Sequence, residues 1–206
     1  MEKLFTRLIV LACVGTLALQ VMYEPTTTAL WLDGEGLRNG ELYRMVTSGF
    51  LHAGNGHLLS NMVILYLLGR QLEPMLLRGG RWQYPVVYLG SLIGGSVGHL
   101  VVHGGDLPVL GASGAVFGVM GCAAVYGWRM GYGWSLISLF PNGGRLQLIT
   151  TVAPWFFVML ALQILAPEEG ISTGGHIGGA IAGFVLGYVM VANDPNRRTH
   201  PPDGWE

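Results

Sequence analysis

Long apolar runs separated by short polar stretches dominate the hydropathy pattern of this chain. The clearest run extends from Leu107 to Trp128, 22 residues without a charged side chain. At about 1.5 Å of rise per residue, a helix of that length crosses the hydrocarbon core of a bilayer. Six such helices are predicted, over residues 4–22, 56–77, 82–102, 112–128, 146–165 and 175–191. The pattern therefore predicts an all-α, polytopic membrane protein built as a six-helix bundle.

The organisation of the chain depends on its first apolar run and on the segments that are too polar to span. The first run, 4–22, has a basic flank that is typical of a signal peptide or of a first spanning helix. No small-residue cleavage site is clear before Pro25, so we favour an uncleaved helix. We interpret the stretch from Tyr23 to about Gly56 as an ordered external loop. The predicted organisation is one membrane domain over 1–192 and a flexible cytoplasmic tail over 193–206.

Composition agrees with a membrane environment. Charged residues make up 11% of the chain, and its mean hydropathy is +0.48. The formal net charge of −1 leaves no basic stripe to neutralise phosphates, so a nucleic-acid partner is not expected. The expected surroundings are a lipid bilayer. Both cysteines, Cys13 and Cys122, fall inside predicted spans, where we expect them to pack as small apolar groups.

Loop charges orient the six helices. Under this topology nine basic residues fall on one side: Lys3, Arg7, Arg70, Arg78, Arg81, Arg129, Arg145, Arg197 and Arg198. The other side holds only Arg38 and Arg44 among the basic residues. Because Lys and Arg gather in cytoplasmic loops, both termini are predicted to be cytoplasmic.

Four polar side chains then share one depth near the external face. His57 and Asn61 lie near the start of the second helix, Ser113 opens the fourth, and His176 opens the sixth. Polar groups that face inward at a common level of a membrane indicate a functional site. His57 and Asn61 are four residues apart, so they lie on one face of their helix.

The residue types at this depth suit acyl transfer. Ser113 lies at a helix N-terminus, where unpaired backbone N–H groups favour a developing oxyanion. A serine and a histidine that meet there suggest a nucleophile with its general base. Since no carboxylate is available at that depth, we predict a Ser113–His176 dyad and not a triad.

Glycines explain how two helices could bring these groups into contact. The fourth helix carries Gly114, Gly118 and Gly121, and the sixth carries Gly179, Gly183 and Gly187. Ridges of small residues let helix backbones approach closely in lipid. Phe117, one turn after Ser113, is placed to pack against the His176 ring.

Taken together, these motifs resemble the rhomboid intramembrane serine proteases. The resemblance rests on Gly111-Ala112-Ser113-Gly114 with Gly118, on His176 with Gly179 and Gly183, and on His57 with Asn61. His52, Tyr43-Arg44 and Glu73 also fall at matching positions. The sequence departs from the family pattern at Tyr43, where Trp is usual, and at Phe117, where some members have Tyr.

This resemblance implies a serine endopeptidase that cleaves transmembrane helices near the external face. Ser113 would be the nucleophile and His176 the base, while His57, Asn61 and the Ser113 N–H would bind the oxyanion. Gly111, Gly114, Phe117, Gly179 and Arg44 would support the site. Single-span membrane proteins are the implied substrates, and no metal or cofactor is implied. The fifth helix and the loop 167–174 would form a gate and cap.

Other interpretations remain open. Ser113 alone would most often be a small residue in a packing seam, and His52 is more often structural. The main alternative is a non-catalytic rhomboid-like protein that binds membrane helices. The presence of both Ser113 and His176 argues against this alternative. His99 and His103 could form a zinc site with His57 or His176, but the sequence lacks His-Glu-x-x-His and has no carboxylate near these residues. A small transporter is a further alternative, but transporters often show two repeated halves, and no internal repeat is seen in this sequence.

Arg44 is expected to order the first loop, and Glu73 is expected to cap a helix or to form a pair on the cytoplasmic side.

Overall fold

In a computed structural model, the described part of the chain comprises residues 4–129 and 172–192. Regular structure in these ranges is helical, apart from an isolated antiparallel bridge between Leu32 and Val109. The α-helices are α1 (Leu4–Met22), α2 (Pro25–Leu30), α3 (Gly34–Arg38), α4 (Arg44–Thr47), α5 (Asn55–Gly79), α6 (Gln83–His103), α7 (Ser113–Arg129) and α8 (Thr173–Ala192). A 3-10 turn, Ser48–Phe50, follows α4.

Five of the six predicted helices are confirmed, with ends within two residues of those expected. Three of them, α1, α6 and α8, are long and apolar enough to cross a membrane. Helix α7 is a shorter apolar helix, and α5 carries Arg70, Glu73 and Arg78 in its second half. The predicted fifth helix, 146–165, and the predicted tail, 193–206, lie outside the described residues, as does most of the predicted cap loop.

The N-terminus of α1 is held by a carboxylate from α5. Glu73, which is fully buried, accepts hydrogen bonds from the backbone N–H groups of Phe5 and Thr6, both at 2.9 Å. The Thr6 hydroxyl also donates to Glu73, at 2.6 Å. The first N–H groups of a helix have no acceptor within it, and a negative charge there is favourable. The expectation that Glu73 acts as a cap is confirmed.

The polar stretch between α1 and α5 is ordered, as expected. Asp33 caps α3 by accepting from the Gly36 N–H at 2.7 Å. This bond and the nearby cations hold the pKa of the Asp33 carboxyl below its usual value. Leu32, which is fully buried, exchanges two backbone hydrogen bonds with Val109, at 3.0 and 2.8 Å. The first loop is thereby attached to the segment that leads into α7.

Helix α8 packs between α6 and α7 along glycines. A side chain at Gly179 would overlap the carbonyl oxygen of Gly114, and one at Gly183 would overlap that of Gly118. On the other side, a β-carbon at Gly94 would lie 3.0 Å from the carbonyl oxygen of Gly178. These contacts leave no room for larger residues, so the glycines fix how close the helices lie.

Candidate active site

Ser113 is the first residue of α7 and follows a tight turn. Gly111, two residues earlier, has φ +126°, a conformation that L side chains rarely adopt. Its N–H donates to the Ser48 carbonyl at 2.9 Å, which fastens the turn to the 3-10 segment. The backbone N–H groups of the first turn of α7 have no intrahelical acceptor. They point out of the N-terminal end of the helix, where Ser113 lies. The local structure therefore provides donors where an oxyanion could form.

His176 lies in the first turn of α8 and contacts Ser113 directly. Its Nε2 is 2.7 Å from the Ser113 Oγ. With the hydroxyl as donor, Nε2 is the acceptor, which is the arrangement required of a general base. The His176 ring stacks on Phe117, with centroids 4.3 Å apart and an angle of 13° between the planes. Stacking restricts the ring to the plane in which Nε2 meets the serine.

His57, at the start of α5, lies against the turn that precedes Ser113. A β-carbon at Gly111 would lie 2.7 Å from His57 Cε1 and 3.0 Å from Nε2. The Ala53 N–H donates to His57 Nδ1 at 3.3 Å. Because Nδ1 is an acceptor, the ring proton of neutral His57 lies on Nε2. His57 thus presents an N–H donor on the side of the ring that faces the Gly111 turn.

Asn61 is buried one turn after His57. Its side-chain amide donates to the His57 carbonyl at 2.9 Å. An amide group carries two hydrogens, so one remains for another acceptor. The Asn61 side chain is therefore hydrogen-bonded to the backbone of its own helix, one turn after His57. The described residues show no hydrogen bond between the side chains of Asn61 and Ser113.

Arg44, at the start of α4, organises the first loop. Its guanidinium donates to the Thr28 and Trp31 carbonyls at 2.8 and 3.0 Å, and to Glu41 at 2.6 Å. Burial alone would lower the pKa of Arg44, but the hydrogen bond and charge of Glu41 raise it above its usual value. Arg44 therefore supports the loop that pairs with Val109, as the loop-ordering interpretation expected.

His52 is buried behind His57. The two ring centroids are 5.2 Å apart, and His52 Nδ1 lies 3.2 Å from the Phe50 carbonyl. Burial, together with the proximity of His57, lowers the pKa of His52 to about 4. His52 is thus neutral at pH 7 and acts as a packing and hydrogen-bonding group.

A small cavity adjoins the Ser113–His176 pair. Its volume of about 30 Å³ is enough for a water molecule. The polar side chains in its wall are those of Ser48, Ser96, His99, Ser113, Ser172 and His176. Water is the second reactant of any hydrolysis, and the cavity offers it polar partners beside the serine.

Sequence reasoning missed a buried link between the segments that carry Ser113 and His176. His99 Nδ1 lies 2.8 Å from Ser172 Oγ, and its Nε2 lies 3.0 Å from the Leu107 carbonyl. Ser172 Oγ in turn accepts the Gly175 N–H at 2.9 Å, as an N-cap of α8. A serine just before a helix is a recognisable cap signal, whereas nothing local points from His99 to it.

Both His99 nitrogens are therefore engaged in hydrogen bonds, which does not favour the zinc interpretation. Within 4–129 and 172–192, no three His, Cys, Asp or Glu side chains are grouped as metal ligands would be.

Comparison with known proteins finds relatives that are named rhomboid proteases. A Bacillus subtilis protein named "Putative rhomboid protease YdcA" is 41% identical over 101 residues, covering 49% of this chain and 48% of that protein. Uncharacterized protein Mb1372 of Mycobacterium bovis is 29% identical over 175 residues, covering 81% and 68%. Rhomboid protease GluP of Bacillus subtilis is 30% identical over 145 residues, covering 69% and 25%. This chain thus spans about half the length of YdcA and a quarter of GluP.

The family described as "Rhomboid domain" matches residues 39–193 of this chain. The matched range is well over half of the chain and includes every residue of the Ser113 site described above. With this match and its apolar helices, the chain is a multi-pass membrane protein that belongs to the rhomboid family.

Proposed function

We propose that this protein is an intramembrane serine endopeptidase that cleaves transmembrane helices of membrane proteins. The observation that carries the proposal is the 2.7 Å contact between Ser113 Oγ and His176 Nε2, at the start of two helices. Relatives named rhomboid protease support the same reaction class. The pair would act as a dyad, with no metal or organic cofactor.

In the proposed reaction, His176 Nε2 takes the Ser113 proton as Oγ attacks the carbonyl carbon of the scissile peptide bond. The resulting oxyanion would accept hydrogen bonds from the Ser113 N–H, His57 and Asn61. His176 then gives its proton to the departing amine, and an acyl-enzyme remains. Water attacks this ester with His176 again as base, which releases the second product and restores Ser113.

The position of the dyad supports a class of substrate. Ser113 and His176 each lie within the first turn of their helices, which supports a position of the dyad near one membrane face and away from the bilayer centre. A substrate helix would have to unwind near that face to expose a peptide bond, which suits single-span proteins with a weakly helical end. We propose that this face is external and that both termini are cytoplasmic, in a six-helix domain over 1–192.

Fluorophosphonate labelling of the purified protein in detergent tests the proposal. The wild type should be labelled, whereas Ser113→Ala and His176→Ala should not, because an activated serine is required. Ser60→Ala is the matched control, since Ser60 is exposed and bonds the His57 carbonyl one turn back. Equal labelling of all four proteins, or none in a folded wild type, would favour the non-catalytic, helix-binding alternative.

A further inference from the structure

Gln20, near the external end of α1, is a polar residue in an otherwise apolar helix. Its side-chain oxygen accepts the His52 N–H at 3.0 Å, and its amide donates to the His52 carbonyl at 3.2 Å. A second amide hydrogen bonds Thr27 Oγ1 at 3.1 Å. The side chain thus pairs with the backbone of His52 as a neighbouring β-strand would. The reversed amide would set two donors against each other at the His52 N–H, so the network fixes its orientation.

The His52 carbonyl belongs to the same peptide unit as the Ala53 N–H. A trans peptide is planar, with its C=O and N–H pointing in opposite directions, so holding one end aims the other. Gln20 holds the carbonyl end. The N–H end donates to His57 Nδ1 at 3.3 Å. A direct structural path therefore runs from α1 through one peptide unit to the His57 ring.

We propose that Gln20 is a positioning residue that sets the orientation and tautomer of His57. With the Ala53 N–H on Nδ1, the proton of His57 is kept on Nε2, which faces the Gly111 turn before Ser113. This inference rests on the proposed function, because it takes the Nε2–H of His57 as an oxyanion donor. Gln20 itself need not touch substrate, and no step of the reaction uses it as an acid or base.

The geometry also explains why this position needs an amide. Glutamate would retain an acceptor for the His52 N–H but would place an oxygen against the His52 carbonyl. Methionine has a similar length and no comparable donor or acceptor, so the peptide unit would be free to rotate. Only a side chain with both an acceptor and a donor on one group can pair with both ends of the residue.

The first measurement does not depend on catalysis. Nitrogen chemical shifts of labelled histidine distinguish a protonated Nε2 from a protonated Nδ1, and the signals lost in His57→Ala identify His57. In the wild type we expect His57 to be protonated on Nε2. In Gln20→Met and Gln20→Glu we expect a mixture of tautomers. An unchanged His57 spectrum in both folded variants would overturn the proposal.

The second measurement tests coupling to the reaction by a double-mutant cycle. Gln20→Met should slow fluorophosphonate labelling about 10-fold, below the roughly 100-fold or greater loss expected when an oxyanion donor is removed. In the His57→Ala background the same substitution should have little further effect. Equal slowing in both backgrounds would show that Gln20 acts elsewhere and would overturn the proposal.

Two controls separate positioning from general stability. Thr27→Val removes the other partner of Gln20 and leaves the His52 peptide paired, so its labelling rate should stay near that of the wild type. Thr16→Val, one turn earlier on α1, removes only the local bond to Ala12 that the structure shows there. A tautomer change in Gln20→Met together with an unlabelled wild type would uphold the positioning of His57 and reject the protease function.

Discussion

At Gly111 two separate requirements for glycine meet in one residue. Its φ of +126° strains any other residue, and a β-carbon there would press on the His57 ring at 2.7 Å. We therefore expect Gly111→Ala to displace His57 and the turn that presents Ser113. Fluorophosphonate labelling should fall by about 10-fold or more, since small misplacements of catalytic groups are costly.

Gly40 offers the matched control for this substitution. It also has a positive φ, +81°, but no atom lies within 4 Å of its β-carbon position. Gly40→Ala should therefore lose about 1–2 kcal/mol from backbone strain while labelling stays normal. Normal labelling in Gly111→Ala would contradict the assigned contact between the turn and His57.

At the scale of single elements, the ordered structure of the first loop depends on the guanidinium group of Arg44. Its N–H groups reach two carbonyls and Glu41 at once, which a lysine ammonium on its flexible stem does not reproduce. Arg44→Lys should therefore loosen residues 23–54 and the pairing of Leu32 with Val109. Proteinase K should cut the loop of this variant faster than that of the wild type, and labelling of Ser113 should fall several-fold.

Arg38→Lys is the control for that experiment. Arg38 is exposed and lies in the same loop. Its substitution should leave both the cleavage rate and the labelling unchanged. Equal protection of the Arg44 and Arg38 variants would argue against a structural role for Arg44.

Docking of α1 depends on the carboxylate of Glu73. Glu73→Gln would place an amide NH₂ against the Phe5 or Thr6 N–H, because only one oxygen remains to accept. A buried, unmatched donor costs about 1–3 kcal/mol, and more where a charge is lost. The melting temperature in detergent should drop clearly. Glu35→Gln, at an exposed carboxylate on α3, should leave it unchanged, and equal melting of both variants would contradict the capping role.

The five long helices that the structure describes could be predicted because each corresponds to an apolar run in the sequence, whereas the short helices of the first loop were not predicted. Apolar runs of about 20 residues fixed the limits of α1, α6 and α8 within two residues. The meeting of Ser113 and His176 followed from topology, which puts both residues at one depth, and from the glycines that let α7 and α8 approach.

The attachments between loops and helix ends could not be predicted in the same way. The Leu32–Val109 bridge and the Gln20–His52 pairing are bonds to backbone atoms, and these leave no periodic pattern in the sequence. Their geometry depends on how the first loop folds over the helix ends. A glutamine inside an apolar run was the available signal, since an unpartnered amide is costly there.

For the whole molecule, His52 predicts how stability depends on pH. Its pKa is about 4 in the folded protein, and an unfolded histidine has a pKa of about 6.5. The neutral form therefore stabilises the fold fully above about pH 6.5. As pH falls toward 4, the unfolded chain binds the proton first and this stability is lost. The melting temperature should fall over that interval.

His52→Gln isolates this contribution from that of the other histidines. The variant should start with a lower melting temperature at pH 7 but show a shallower fall between pH 6.5 and 4. At still lower pH, protonation of Asp33 should add a further loss, because the pKa of its carboxyl is held below the usual value. Parallel curves for wild type and variant would show that His52 is not the group that titrates.

The orientation of the whole bundle is testable through the placement of its charges. Arg78 and Arg81 lie at the turn between α5 and α6, and Arg70 lies in the second half of α5, whereas Asn39 lies in the loop on the side of His57. Positive loops stay cytoplasmic, so the two segments should face opposite sides of the membrane.

Both natural cysteines are buried, so Asn39→Cys and Arg81→Cys can each be probed without background. An impermeant maleimide should label the Asn39 variant in right-side-out vesicles and the Arg81 variant in inside-out vesicles. The reverse pattern would put Ser113 and His176 on the cytoplasmic side and would contradict the proposed orientation of the domain.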